Sequence, residues 1–202
     1  MILKTKKLYL VRHGETTLHT KNRFIGSTDA LLSEQGETQM RNLIKYIPDT
    51  KGFTLNCSLM KRCLQSYKIL FSNKAMLTKN SELLKEIDFG DWEQQSYADL
   101  ELSNPKLIKQ WSDFDREFKF PNGESFKKFF LRMDQLANQI IVSDIENHLW
   151  VTHGGVIRSL ICRFLGLDYR QYLLFKIPLA SLTCIEIFED KGVLKQMGMR
   201  EL

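Results

Sequence analysis

Two stretches of the chain end an apolar run in the same polar way. LYLVRHGETT, residues 8–17, carries Arg12, His13 and Gly14 behind its apolar residues. LWVTHGGVIR, residues 149–158, carries Thr152, His153, Gly154 and Gly155. Taken alone, a histidine at such a place is more often structural than catalytic. The glycine after it permits a sharp turn and a close approach of backbone N–H groups to a ligand. Arg12 at the end of a buried strand needs an anionic partner. That partner is either a structural carboxylate or a phosphate, whose oxygens match the guanidinium fork. The chain has 4 histidines, so two of them share this setting. Metal binding is the competing chemistry, but the sequence contains neither H-x-x-x-H nor H-E-x-x-H, and carboxylates near His13 and His153 are few.

The elements that must position these residues can be read from periodicity. Residues 8–11 and 148–152 read as short buried strands, with further strands at 53–57, 76–78, 182–188 and 193–197. Helices are expected over 33–46 with Ser33 as N-cap, over 59–71, from the PNGES stretch to about residue 145, and over 156–165 with Gly166 as the stop. Residues 82–120, rich in acids and aromatics and weakly periodic, read as an insertion of loops and short helices that forms a lid or pocket wall. Strands alternating with helices argue for a three-layer α/β/α fold with a mostly parallel central sheet. In such a sheet the carboxyl ends of the strands form the binding edge, and the helix after His153 brings its anion-favouring N-terminus there.

Composition sets the outer bounds. The chain has 202 residues, 43% hydrophobic and 26% charged, enough for one sizeable core and read as a single domain over 1–202. Mean hydropathy is −0.27, and no apolar run reaches the roughly 20 residues that span a bilayer. The N-terminal stretch MILKTKKLYLV reads as a first strand and not as a signal peptide. The 4 cysteines are scattered, which favours buried thiols in a reducing, cytoplasmic setting over a disulfide framework or zinc site. The net charge of +5 suits small phosphorylated partners as well as a solvated surface. No arginine-rich stripe alternates with aromatics, so nucleic-acid binding is not expected.

The ordered motifs resemble the histidine phosphatase superfamily, the phosphoglycerate mutase-like enzymes. VRHGET is similar to that family's opening signature. GSTDALLSEQG, CSLMKRCLQS, LLKEIDFGDWE, PNGESF and VTHGGVIR follow in the family's order and cover nearly the whole chain. The resemblance implies covalent catalysis without metal or cofactor: His13 as nucleophile, Glu86 as proton carrier, and Arg12, Arg62 and His153 around the phosphoryl oxygens. Gly154 is implied as a backbone donor, and Gly26 and His19 as further substrate contacts. FGDWE followed by PNGES most resembles the alpha-ribazole phosphatase and broad-specificity phosphatase branch. That implies a phosphomonoesterase, with a cofactor-dependent mutase or a broad-specificity sugar-phosphate phosphatase as the alternative. A small phosphorylated metabolite is the implied partner, for a monomer or homodimer without membrane or nucleic acid.

Departures from the pattern cluster at the substrate mouth. His19 stands where the family commonly has asparagine, Ile25 where it has glutamine and Leu31 where it has proline. Glu15 is expected to hold Arg12 or a backbone amide, Glu93 to be structural, and Arg158 to be a surface charge. The alternative for Glu86 is a salt bridge to a lysine such as Lys85. Trp92, Trp111 and Phe114 are read as core, with pocket contact as the alternative.

Overall fold

The computed structural model describes residues 5–18, 23–71, 78–115 and 117–201, and for 78–80 the backbone only. The expected strand at 76–78 therefore lies mostly outside the described residues, as does His19. Six strands form one sheet in the order β3-β2-β4-β1-β5-β6. They are β1 (Thr5–Arg12), β2 (Thr54–Ser58), β3 (Thr78–Ser81), β4 (Asn147–Thr152), β5 (Ser181–Phe188) and β6 (Lys191–Met199). The pairs β3–β2, β2–β4 and β4–β1 are parallel, while β5 and β6 close one side antiparallel.

Side-chain alternation in the strands explains the layers. In β1, Leu8 and Leu10 face one cluster with Trp150, Ile157, Phe129 and Met133, while Val11 faces the other with Leu55, Leu149, Val151 and Met40. A parallel strand covered on both sides carries apolar residues on both faces. The first cluster is roofed by α5 (Phe126–Ile141) and α6 (Gly154–Leu165), the second by α1 (Glu34–Leu43) and α2 (Lys61–Phe71). This is the expected three-layer α/β/α arrangement.

Helix boundaries follow local chemistry. Ser33 caps α1 by accepting from Gly36 N at 3.0 Å, and Ser125 caps α5 by accepting from Lys128 N at 3.2 Å. The cap of α6 is His153 itself, and Gly166 ends that helix at φ 68°. Helix α5 stops at Ile141, short of the expected residue 145. Lys6 Nζ reaches across from β1 to donate to the carbonyls of Ile140 and Ile141, at 2.9 and 2.5 Å. A cation on the last carbonyls satisfies groups that a longer helix would have used itself.

The insertion contains two short helices, α3 (Tyr97–Ser103) and α4 (Pro105–Ser112), between 3₁₀ turns and loops. An aromatic cluster holds it to the body. Trp92 meets Phe24, Phe118 and Phe120 with ring centroids 5.2–5.6 Å apart. Trp92 is thus core, as is most of Trp111, while Phe114 stacks on Phe126 at 5.4 Å. Among the described residues no helix is long and apolar enough to cross a membrane.

Candidate active site

Because β1 and β4 are parallel and in register, Arg12 lies opposite Thr152 and the two histidine turns leave the sheet side by side. His13 N donates to Thr152 O at 3.1 Å, and the two imidazole centroids are 5.1 Å apart. Neighbouring helices fix the first turn. Gly14 N donates to Ser66 Oγ of α2 at 3.3 Å, and a Cβ on Gly14 would meet the Gly36 carbonyl of α1 at 2.5 Å. Glycine is required there by the close approach of α1.

The hydrogen bonds assign the protons. His13 Nδ1 lies 2.7 Å from the Gly14 carbonyl, which can only accept. Nδ1 therefore carries a proton, so in the neutral ring the lone pair falls on Nε2. His153 is fully buried. Its Nδ1 accepts from Arg62 Nε at 3.2 Å, so its proton sits on Nε2, which donates to Ser58 Oγ at 2.9 Å. Burial holds His153 well below the usual imidazole value, and Arg62, His13 and Arg12 push the same way. It is a neutral imidazole.

The two arginines differ in how they are held. Arg62, fully buried, donates from Nη1 to Thr28 O and from Nη2 to Gly26 O, both at 2.7 Å. Arg12 donates from Nη1 to Ile177 O at 2.5 Å, while its Nε is buried with no hydrogen-bond partner. Desolvation lowers Arg12 to about 10; Glu86 opposes that shift, and Arg158 and Arg62 add to it. A guanidinium with N–H groups to spare suits an anion such as phosphate. Gly154 lies against Arg12: a Cβ there would sit 3.2 Å from Arg12 Cζ.

Glu86 enters from the turn after β3. Its Oε2 accepts from Gly155 N, in the first turn of α6, at 2.9 Å, and its Oε1 accepts from Ile87 N at 3.1 Å. The alternative salt bridge is not formed, since Lys85 pairs with Glu82 at 2.7 Å. Glu15 holds Ser33 Oγ at 2.8 Å rather than Arg12, and Arg158 donates to Phe175 O at 2.8 Å rather than standing free on the surface.

Several supporting residues were not anticipated from sequence. Ser58 fixes the His153 tautomer, and Gly155 makes room for the Glu86 carboxylate. Arg132 of α5 donates to the carbonyls of Leu83, Lys85 and Glu86 at 2.8, 2.6 and 3.4 Å, and makes a two-point ion pair with Glu124. The turn that carries Glu86 is thereby clamped to α5. The PNGES stretch supplies Glu124 for this clamp and Ser125 for the helix cap, a division of labour its motif resemblance did not reveal.

Among the described residues no three His, Cys, Asp or Glu side chains form a group that could hold a metal ion. All four cysteines are buried and unpaired.

Fold and site together define an α/β protein that gathers two histidines and two arginines at the carboxyl edge of its parallel strands. The sequence matches the profile of the histidine phosphatase superfamily (branch 1) over residues 8–200, and the chain belongs to that family. It is 27% identical over 195 residues, covering 96% of both chains, to an adenosylcobalamin/alpha-ribazole phosphatase of Salmonella typhimurium. Its counterpart of the same description in Escherichia coli is 26% identical over 97% of both chains. Among solved structures, the alpha-ribazole phosphatase of Shigella flexneri superposes with a TM-score of 0.86 at 25% identity, covering 97% of this chain and 98% of that one.

Proposed function

We propose that the protein hydrolyses a phosphomonoester through a phosphohistidine on His13. The observation that carries this reading is the His13 tautomer, with the ring of His153, which accepts from the fully buried Arg62, 5.1 Å away. Nε2 attacks phosphorus, the bond from phosphorus to the ester oxygen breaks, and Glu86 in its acid form protonates the departing alkoxide. Water then attacks the phosphoryl group, the Glu86 carboxylate takes the water proton, and the P–N bond breaks to free phosphate and His13. One hard displacement is thus divided into two easier ones.

Arg12 and Arg62 hold the phosphoryl oxygens, with neutral His153 beside them. Charge stabilisation and positioning supply most of the acceleration in phosphoryl transfer. Gly154 lets the α6 N-terminus approach Arg12, and Gly26 serves through its carbonyl on Arg62. The favoured substrate is alpha-ribazole 5′-phosphate, on the strength of the relatives that align along nearly the full chain. The test is phosphate release, in the presence of a chelator, from alpha-ribazole 5′-phosphate, p-nitrophenyl phosphate, fructose 2,6-bisphosphate, and 3-phosphoglycerate with its bisphosphorylated cofactor. Preferred hydrolysis of the first supports the reading. Isomerisation of phosphoglycerate without net release, or activity that needs an added divalent ion, overturns it.

A further inference from the structure

Glu93 lies outside this group of histidines and arginines, yet its carboxylate is the most heavily bonded in the described residues. It accepts from Gly26 N at 3.0 Å, Ser27 N at 2.8 Å, Thr28 N at 3.1 Å, Thr28 Oγ1 at 2.6 Å and Phe89 N at 3.2 Å. The three consecutive N–H groups belong to the loop whose carbonyls hold Arg62. Gly26 O and Thr28 O accept from Nη2 and Nη1 of that arginine, both at 2.7 Å. The loop is therefore gripped by an anion on its N–H side and by a cation on its C=O side. It is packed tightly as well: a Cβ on Gly26 would fall 1.9 Å from Ile87 O and 2.7 Å from Glu93 Oε1.

We infer that Glu93 is a positioning residue for the reaction, acting on Arg62 through the 26–28 loop. The inference rests on the reading of Arg62 as a holder of the phosphoryl group. Its physical basis is geometric. Arg62 presents its remaining N–H groups in a direction set by two carbonyls and by His153 Nδ1. Those carbonyls stay in place only while the opposite side of the loop has an acceptor for three amides. A carboxylate offers about four lone-pair sites and no donor, whereas a carboxamide offers one oxygen and turns an N–H₂ group toward other donors. The same segment, 86–93, carries Glu86, so the proton carrier and the phosphate-holding arginine are set by one piece of chain.

The test is the affinity for inorganic vanadate, a mimic of the transferring phosphoryl group, followed by tryptophan fluorescence together with steady-state kinetics. Glu93→Gln should weaken vanadate and lower kcat/KM by about tenfold to a hundredfold, the scale of a charge-assisted hydrogen bond lost. Thr28→Val removes one of the five donors to Glu93 and should move both quantities the same way by less. It keeps the test decisive where Glu93→Gln lowers the melting temperature. The distinguishing readout is coupling: in an Arg62→Ala background, Glu93→Gln should weaken vanadate no further. Wild-type vanadate affinity in Glu93→Gln and Thr28→Val, or full additivity with Arg62→Ala, overturns the inference. A wild-type protein that binds no vanadate, or an Arg62→Ala variant that binds it unimpaired, overturns the reading of Arg62 on which the inference stands.

Discussion

Gly155→Ala should separate stability from catalysis. Gly155 lies in the first turn of α6 and its φ is not positive, so alanine suits its backbone. Alanine in place of glycine favours a helix by up to about 1 kcal/mol, so the variant should fold with stability near that of the wild type. The added Cβ, however, would lie 2.3 Å from Glu86 Oε1 and 3.1 Å from its Cδ, where 3.4 Å or more is ordinary contact. The carboxylate must therefore retreat by about 1 Å, a misplacement of the size that costs about a hundredfold in rate. It also gives up or bends its 2.9 Å bond from Gly155 N. The assay compares kcat on an alkyl phosphate and on p-nitrophenyl phosphate. An alkoxide needs the proton from Glu86 far more than nitrophenolate does, so the loss should be about a hundredfold on the alkyl ester and smaller on the aryl one. Melting curves supply the control. Wild-type kcat on the alkyl ester, or equal losses on both esters, would refute the placement of Glu86 as proton carrier.

The Arg132–Glu124 pair has side chains only 14% and 17% exposed, so Arg132→Met should destabilise by about 3–5 kcal/mol by stranding Glu124. Adding Glu124→Leu should return much of that stability in urea denaturation without returning kcat, because the turn holding Glu86 has lost its clamp. Stability should also fall as pH drops below the ordinary histidine value, because burial lowers both His148 and His153. The unfolded chain then takes up protons that the native state refuses, which costs up to about 1.4 kcal/mol per pH unit for each histidine. His148→Gln should make the fall between pH 7 and pH 5.5 shallower, as read from urea midpoints; an unchanged slope would show that His148 titrates normally.

Much of the site was legible because its residues sit at strand ends, where a break from apolar to polar is visible in one dimension. His13 and His153 could be placed on one edge from the parallel-sheet expectation alone, and Ser33 and Gly166 marked helix ends through their own backbone chemistry. What stayed hidden was the layer that acts across the fold. Ser58, between the expected strand at 53–57 and the expected helix at 59–71, shows its role only once β2 is seen beside β4, and Arg132 only once α5 covers the turn after β3. The extent of α5 was overestimated for a related reason: the lysine that caps it comes from β1, 134 positions away. The expectation for Glu15 erred through sequence proximity, since the nearer demand came from the cap of α1. Arg158 shows the same limit, as its acceptor lies 17 positions on in an irregular segment.

The most direct test of the central claim is a rapid-quench turnover with ³²P-labelled substrate, followed by mapping of any protein-bound label. The label should be stable to base and labile to acid, carried by the peptide containing His13 and absent from His13→Ala. Hydrolysis that proceeds at full rate with no protein-bound label, or with label on another residue, would contradict the claim.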